Sequence, residues 1–156
     1  MANEKETLMK SLEEWLDEYA ESHQNPQNKM IHYLCIPPIT WSTLGIAFIL
    51  SPTLLAIILI GAFYFYYKLA PRLAWGMAVF LLLTLPLLLT HPHILTISLV
   101  TFIIAWVAQI WGHQIEGKKP SFVTDLQFLL IGPLWILNKV YEELGLVATE
   151  RDLSSP

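Results

Sequence analysis

The chain has 156 residues, enough for one domain, and 54% of them are hydrophobic whereas only 14% are charged. Soluble domains carry about a quarter charged residues, and the deficit here is concentrated in residues 34–67 and 73–112, which contain no Asp, Glu, Lys or Arg. Stretches that are apolar on every side belong in lipid. The net charge is −4 and no basic stripe exists, which excludes a nucleic-acid-binding protein. We therefore expect a single membrane domain over 1–156.

The first predicted element is an amphipathic helix over 7–22. Its apolar residues recur at spacings of three and four and share one face: Leu8, Leu12, Trp15, Leu16 and Tyr19. Pro26 predicts its end, because proline disfavours helix in the residue before it. The other face is acidic, whereas a helix lying on anionic lipid would carry Lys and Arg. We expect this helix to pack on the rest of the protein.

Four apolar segments follow, over 35–50, 53–67, 73–90 and 94–112. A membrane-spanning helix needs about 20 apolar residues, with a range of about 17 to 25. The third and fourth segments meet this, and aromatic flanks can extend the first two to the interface. The alternative for the first two is one re-entrant hairpin turned at Ser51-Pro52; we favour two spans.

A fifth apolar piece, over 126–137, is too short to span and is interrupted by Gly132-Pro133. It predicts an interfacial or re-entrant helix over 126–143. The expected fold class is therefore all-α: an integral membrane bundle of about four transmembrane helices, with an N-terminal amphipathic helix and a short C-terminal interfacial helix.

The basic residues predict the orientation of this bundle. With a cytoplasmic N-terminus, four crossings place all nine on the cytoplasmic side: Lys5, Lys10, Lys29, Lys68, Arg72, Lys118, Lys119, Lys139 and Arg151. The positive-inside rule predicts such an asymmetry. The same topology puts His23, His32 and His113 together on the cytoplasmic face, and His91 and His93 about 30 Å away on the other.

The three cytoplasmic histidines have polar neighbours in the sequence. Gln109, His113 and Glu116 lie at i, i+4 and i+7 and share one helix face. Imidazole suits iron, zinc or copper, and a nearby carboxylate favours iron. A metal-bound imidazole usually donates its second N–H to a carboxylate, amide or carbonyl, a role open to Asn28, Gln109 and Glu116. The residues alone also allow the alternative that these three histidines are unrelated and simply lie at the membrane interface. His91-Pro92-His93, on the other side, is interpreted as a solvent-facing turn.

Two blocks of sequence carry a resemblance to a known family. The first reads Tyr19-Ala20-x-x-His23-x-Asn25-x-x-Asn28-x-x-Ile31-His32-x-x-x-Ile36-Pro37, and the second reads Gln109-x-x-Gly112-His113-x-x-Glu116-x-x-x-Pro120, followed by Leu130-x-Gly132-Pro133. In this order they resemble the signatures of the 2-hydroxy fatty acid dioxygenases of the endoplasmic reticulum, a family once catalogued as a domain of unknown function. Ser121-Phe122 departs from the Ala-Leu that the family often has there.

The resemblance implies an enzyme that uses Fe(II) and O2 to shorten a 2-hydroxy fatty acid by one carbon in α-oxidation. It implies His23, His32 and His113 as metal ligands, with Asn28 beside them and Glu116 as a support or a further ligand. The implied location is the endoplasmic reticulum of a eukaryote or the inner membrane of a bacterium, with substrate drawn from membrane lipid. The rival hypotheses are a zinc-dependent lipid hydrolase and a non-enzymatic membrane scaffold or transporter.

Overall fold

The computed structural model describes residues 10–117 and 122–146. In these ranges the chain forms helices and no strand: α1 (Leu12–Glu21), α2 (Pro26–Leu50), α3 (Pro52–Leu69), α4 (Pro71–Thr90), α5 (Ile94–Glu116) and α6 (Phe122–Glu143). Helices α2 to α5 are long and apolar enough to cross a membrane, which confirms the predicted all-α membrane bundle. The orientation argument also used Lys5, Lys118, Lys119 and Arg151, which lie outside the described residues.

Helix α1 begins later than the sequence predicted. The predicted start at residue 7 lies outside the described residues, and the helix begins at Leu12. Ser11 and Glu14 form a capping box, in which the Ser11 hydroxyl accepts from the Glu14 N–H at 3.2 Å and the Glu14 carboxylate accepts from the Ser11 N–H at 2.7 Å. Tyr19 buries the apolar face of α1 against Ile36 and Ile131, so the helix packs on the protein as expected.

Helix α2 begins at Pro26, nine residues before the predicted start of the apolar segment at 35. Pro26 ends α1 but also suits the first position of a helix, because it has no N–H to leave unsatisfied there. The Asn25 side chain caps the helix by accepting from the Gln27 N–H at 2.8 Å. His32 therefore lies within α2, in its second turn, instead of in a loop before it.

The lengths of helices α2 and α3 favour two spans over the alternative of one re-entrant hairpin. Helix α2 has 25 residues and α3 has 18, and each is long and apolar enough to cross a membrane by itself. Ser51 lies between them in extended backbone and caps α3 by accepting from the Leu54 N–H at 3.3 Å. The chain thus turns at Ser51-Pro52, as predicted, but between two spans.

Helix α6 runs from Phe122 to Glu143 and is continuous through Pro133, within the stretch predicted as one helix over 126–143. A proline inside a helix removes one backbone hydrogen bond and weakens the preceding turn. The Tyr66 hydroxyl donates to the Leu130 carbonyl in that turn at 2.8 Å and ties α6 to α3. Leu134 of α6 is fully buried against α4. Helix α6 therefore covers the end of the bundle at which α2 begins.

Helices α2 and α5 form the closest pair in the bundle, and small residues permit their approach. A Cβ atom added at Gly45 of α2 would lie 2.1 Å from the Ser98 hydroxyl of α5, and one added at Gly112 of α5 would lie 2.4 Å from Asn28 Oδ1 of α2. Real Cβ contacts are longer than this, because atoms closer than their van der Waals distance repel each other. Two glycines, one toward each end of the pair, therefore fix how closely the helices pack.

Candidate metal centre

Three histidines from three parts of the chain meet where α2 begins and α5 ends. His23 lies in the turn between α1 and α2, His32 in the second turn of α2, and His113 in the last turn of α5. The ring centroids are 4.1 Å apart for His23 and His32, 4.9 Å for His32 and His113, and 5.5 Å for His23 and His113. One ring nitrogen from each lies within 4.8 Å of the other two. The convergence predicted from the topology is therefore present.

The cluster is buried. His23 and His32 are each 1% exposed, and His113 is half-buried. The Tyr19 ring stacks on His23 with centroids 4.2 Å apart and planes 10° apart, and Trp135 of α6 lies against both rings. Imidazole is polar, and burying polar groups is costly unless they are bonded. The two buried imidazoles, with the half-buried third beside them, therefore need partners.

Two of these partners are backbone carbonyls. The Nδ1 atom of His23 lies 2.6 Å from the Tyr19 carbonyl oxygen, and the Nδ1 atom of His32 lies 2.9 Å from the Asn28 carbonyl oxygen. A carbonyl can only accept, so each Nδ1 carries the proton and donates. This bond fixes the tautomer and leaves Nε2 of each ring as the nitrogen that could bind a metal. Both bonds run to the residue four positions earlier, so the local helical geometry orients the rings.

Glu116 ties the end of α5 to the start of α2. Its carboxylate accepts from the backbone N–H of Gln24 at 2.8 Å, from that of Asn25 at 2.9 Å, and from Asn28 Nδ2 at 3.0 Å. A carboxylate at a helix N-terminus also interacts favourably with the helix dipole. Glu116 thus holds the turn that follows His23. Its carboxylate does not belong to the group of side chains whose ligand atoms lie within reach of one metal ion, which among the described residues consists of the three histidines.

Asn28 connects Glu116 to the histidines and requires Gly112 opposite. Its side-chain amide donates to Glu116 and its backbone carbonyl accepts from His32. Asn28 is fully buried, and its Oδ1 atom occupies the space that a Cβ at position 112 would need. The Gly112-His113 pair in the sequence therefore has two functions: the glycine admits Asn28, and the histidine joins the cluster.

The histidines line a cavity of about 40 Å³. Its wall continues away from them along α2, through Ile36 and Ile39, and along α5, through Gln109 and Trp106. These pairs lie four and seven residues from His32 and His113, so they share the helix faces that carry the histidines. Residues of α6 close the cavity on another side: Phe128, Leu129 and Pro133.

The structure brings most of the predicted site residues together and leaves two histidines at the other end of the bundle. It brings His23, His32 and His113 together, surrounds them with Asn28, Gln109 and Glu116, and leaves His91 and His93 at the far ends of α4 and α5. Sequence reasoning missed Trp106 and the wall formed by α6. Trp106 had a detectable signal, because it lies at i−3 from Gln109 and i−7 from His113 on the same face. The docking of α6 over the site had no such signal in the sequence.

The donor set fits a transition-metal ion. Three imidazoles, two of them with tautomers fixed by backbone carbonyls, match the ligands that iron, zinc and copper take in proteins. Three protein ligands leave coordination positions for substrate, as in catalytic metal sites, whereas structural sites usually take four. The centre can therefore hold an ion that remains open on the cavity side, and His23, His32 and His113 are the residues that would bind it.

The fold and the site define a class: a helical membrane protein with a three-histidine cluster at one end of its bundle. A protein-family model described as "2-hydroxy-palmitic acid dioxygenase Mpo1-like" matches residues 9–144, and the chain belongs to this Mpo1-like family. The chain is similar to the 2-hydroxy-palmitic acid dioxygenase MPO1 of Saccharomyces cerevisiae, with 31% identity over 137 residues that cover 81% of this chain and 78% of the yeast protein. No solved structure matches the chain.

Proposed function

We propose that the protein is an iron-dependent dioxygenase that uses O2 to shorten 2-hydroxy fatty acids by one carbon. The observation that carries the proposal is the convergence of His23, His32 and His113, with ligand atoms within 4.8 Å of one another. Family membership supports the reaction, because the family model and the yeast relative are both named for a 2-hydroxy-palmitic acid dioxygenase. The imidazole donors are ligands that suit iron.

The proposed reaction breaks the bond between C1 and C2 of the acid. C1 leaves as carbon dioxide, and C2 is oxidised from an alcohol to a carboxylic acid. O2 accepts the four electrons, so one 2-hydroxy acid and one O2 give one shortened acid, one carbon dioxide and one water. Bound iron would supply O2 activation and a chelating site for the carboxylate and the 2-hydroxyl.

The residues of the chain position the substrate. The cavity begins at the histidines and continues along Ile36 and Ile39, deeper into α2, so the polar head of the acid lies at the histidines. A volume of about 40 Å³ holds a head group but not a long acyl chain. The tail therefore extends into the apolar surroundings, where a fatty acid is already dissolved. Holding C1 and C2 at the centre is mainly a positioning effect.

The centre is proposed to lie on the cytoplasmic side of the membrane. Lys29 near the start of α2 and Arg72 at the start of α4 lie at the histidine end of the bundle, and the two turns at the other end, 51 and 91–93, contain no Lys or Arg. The positive-inside rule assigns the basic end to the cytoplasm. Water-soluble products would then leave into the cytoplasm.

The test combines metal analysis with an assay of the reaction. Protein purified in detergent without added metal is analysed for iron, zinc and copper, then mixed with 2-hydroxypalmitate while O2 consumption is followed. We expect bound iron, O2 uptake, and a fifteen-carbon acid as the product by mass spectrometry. A full zinc site with no O2 uptake would favour the lipid hydrolase, and a folded protein with no metal would favour the scaffold or transporter.

A further inference from the structure

The cavity wall contains hydrogen-bond donors that the histidine cluster does not use. Trp106 lines the cavity, and its Nε1 atom is buried with no hydrogen-bond partner among the described residues. Indole N–H groups usually find a partner when buried, so this donor calls for an explanation. Gln109, one turn closer to His113, lines the same wall, is 9% exposed and carries two amide N–H groups.

A carboxylate in this cavity would need such donors. None of the described residues that line it is Lys or Arg, so no cation there can pair with an anionic head group. An ionised carboxylate in a buried site is stable only when its oxygen atoms are bonded. If a metal held by the histidines took part of the head group, the carboxylate oxygen left over would still need neutral N–H donors from the protein.

Trp41 shows why the place of a donor matters. Its Nε1 atom is also buried with no partner among the described residues, but Trp41 packs against Leu44, Ala47 and Leu88 in an apolar cluster away from the histidines. An unbonded indole N–H alone therefore does not define a binding site. Trp106 differs because it shares a cavity and a helix face with Gln109 and His113.

We propose that Trp106 and Gln109 form the carboxylate pocket of the substrate: they hydrogen-bond the carboxylate oxygen that the metal leaves unbound. This proposal rests on the proposed function. In this pocket Trp106 positions the acid so that C1 and C2 face the histidines. It also makes the head group, and not the length of the tail, the feature that the site recognises.

The test compares an acid with a matched alcohol. Equilibrium binding of 2-hydroxypalmitate and of 1,2-hexadecanediol, which lacks the carboxylate, is measured without O2 on iron-loaded protein in detergent. Trp106→Phe removes the indole N–H and should weaken binding of the acid about ten-fold, as expected for a hydrogen bond to a charged group, with no change for the diol. Gln109→Leu should act in the same direction. Trp41→Phe is the matched control and should change neither affinity, and bound iron should be unchanged in all three variants.

Several results would overturn this pocket. Equal weakening of the acid and the diol, or loss of iron, would give Trp106 a merely structural role. Wild-type affinity for the acid in both Trp106→Phe and Gln109→Leu, in a protein that still consumes O2 with 2-hydroxypalmitate, would reject the pocket and leave the proposed function standing. A folded, iron-loaded wild-type protein that binds no acid would reject both.

Discussion

Histidines stand at both ends of the bundle, and the two groups differ in more than number. His23, His32 and His113 come from separate parts of the chain, and the first two are fully buried. His91 and His93 lie in one short turn, with ring centroids 6.1 Å apart, and the Nδ1 atom of His91 accepts from the His93 backbone N–H at 3.2 Å. The second pair is therefore held by its own turn, with His91 half-buried and His93 exposed, and among the described residues it forms no metal-binding group with a third ligand.

The comparison shows what a site requires beyond the right residue type. At the histidine cluster, Asn28 and Glu116 orient the surrounding backbone, and Gly112 allows α5 to approach α2. In the described residues around His91 and His93, no buried polar network of this kind occurs. Substitutions at the cluster and at matched positions elsewhere in the bundle should therefore differ in their effect on metal binding.

The largest effect is expected from His32→Ala. His32 contacts both other rings, so its loss leaves two imidazoles, which is too few for a stable open site. We expect loss of the bound metal and of O2 consumption, whereas His93→Ala should retain both. Elemental analysis of the two purified variants checks this, with a thermal melt to show that each is folded. Equal metal loss in both variants would remove the distinction between the two ends.

Glu116→Gln is expected to lower metal affinity about 10-fold to 100-fold, as for other groups that support metal ligands. The carboxamide keeps one acceptor oxygen, but it loses the charge that faces the start of α2. Glu14→Gln is the control, because the Glu14 carboxylate also accepts a backbone N–H at a helix start but lies in α1. Competition with a chelator measures both affinities. A normal affinity in Glu116→Gln would show that Glu116 does not support the ligands.

Gly112→Ala is expected to destabilise the fold by about 1–3 kcal/mol, the usual cost of overpacking, and to weaken metal binding by displacing Asn28. Gly45→Ala, which crowds Ser98 at the other end of the same helix pair, should cost similar stability without affecting the metal. At Gly61 an added Cβ meets nothing within 4 Å, so Gly61→Ala should be neutral or slightly stabilising.

Thermal melts and metal titrations of the three alanine variants separate these outcomes. The pairing of α2 with α5 predicts that stability falls at both crowded positions and that affinity falls only at position 112. Equal metal affinity in the Gly45→Ala and Gly112→Ala variants would contradict a direct link between Gly112, Asn28 and the histidines.

The smallest effect is expected from Tyr66→Phe. Its hydroxyl donates to the Leu130 carbonyl and ties α3 to α6, and a single buried hydrogen bond contributes about 1 kcal/mol. We expect a slightly lower melting temperature with the metal content unchanged, since Tyr66 does not line the cavity. A large loss of metal in this variant would mean that the position of α6 controls the cluster.

Much of this arrangement could be predicted from the sequence, because lipid imposes a simple rule on charge. The uncharged stretches predicted the membrane bundle, and counting crossings sorted His23, His32 and His113 from His91 and His93. The spacing of Gln109, His113 and Glu116 correctly predicted one helix face. These features depend on composition and helical period alone.

Other features could not be predicted, because they depend on local capping and on packing. The start of α2 at Pro26 was hidden by the polar residues of its first turns, which look like a loop when charge alone is considered. The contacts that hold α6 on both sides of Pro133, a buried Leu134 and a hydrogen bond from Tyr66, join residues that are far apart in the sequence. The docking of α6 over the histidines is a long-range contact that no period in the sequence encodes.

The central claim is that His23, His32 and His113 jointly hold one metal ion. X-ray absorption at the iron edge of the purified, iron-loaded protein tests it most directly. We predict imidazole nitrogen scattering without sulfur ligands, with the imidazole contribution reduced or lost in His113→Ala and unchanged in His91→Ala. An iron spectrum without imidazole scattering, or one that His113→Ala leaves unaltered, would contradict the account.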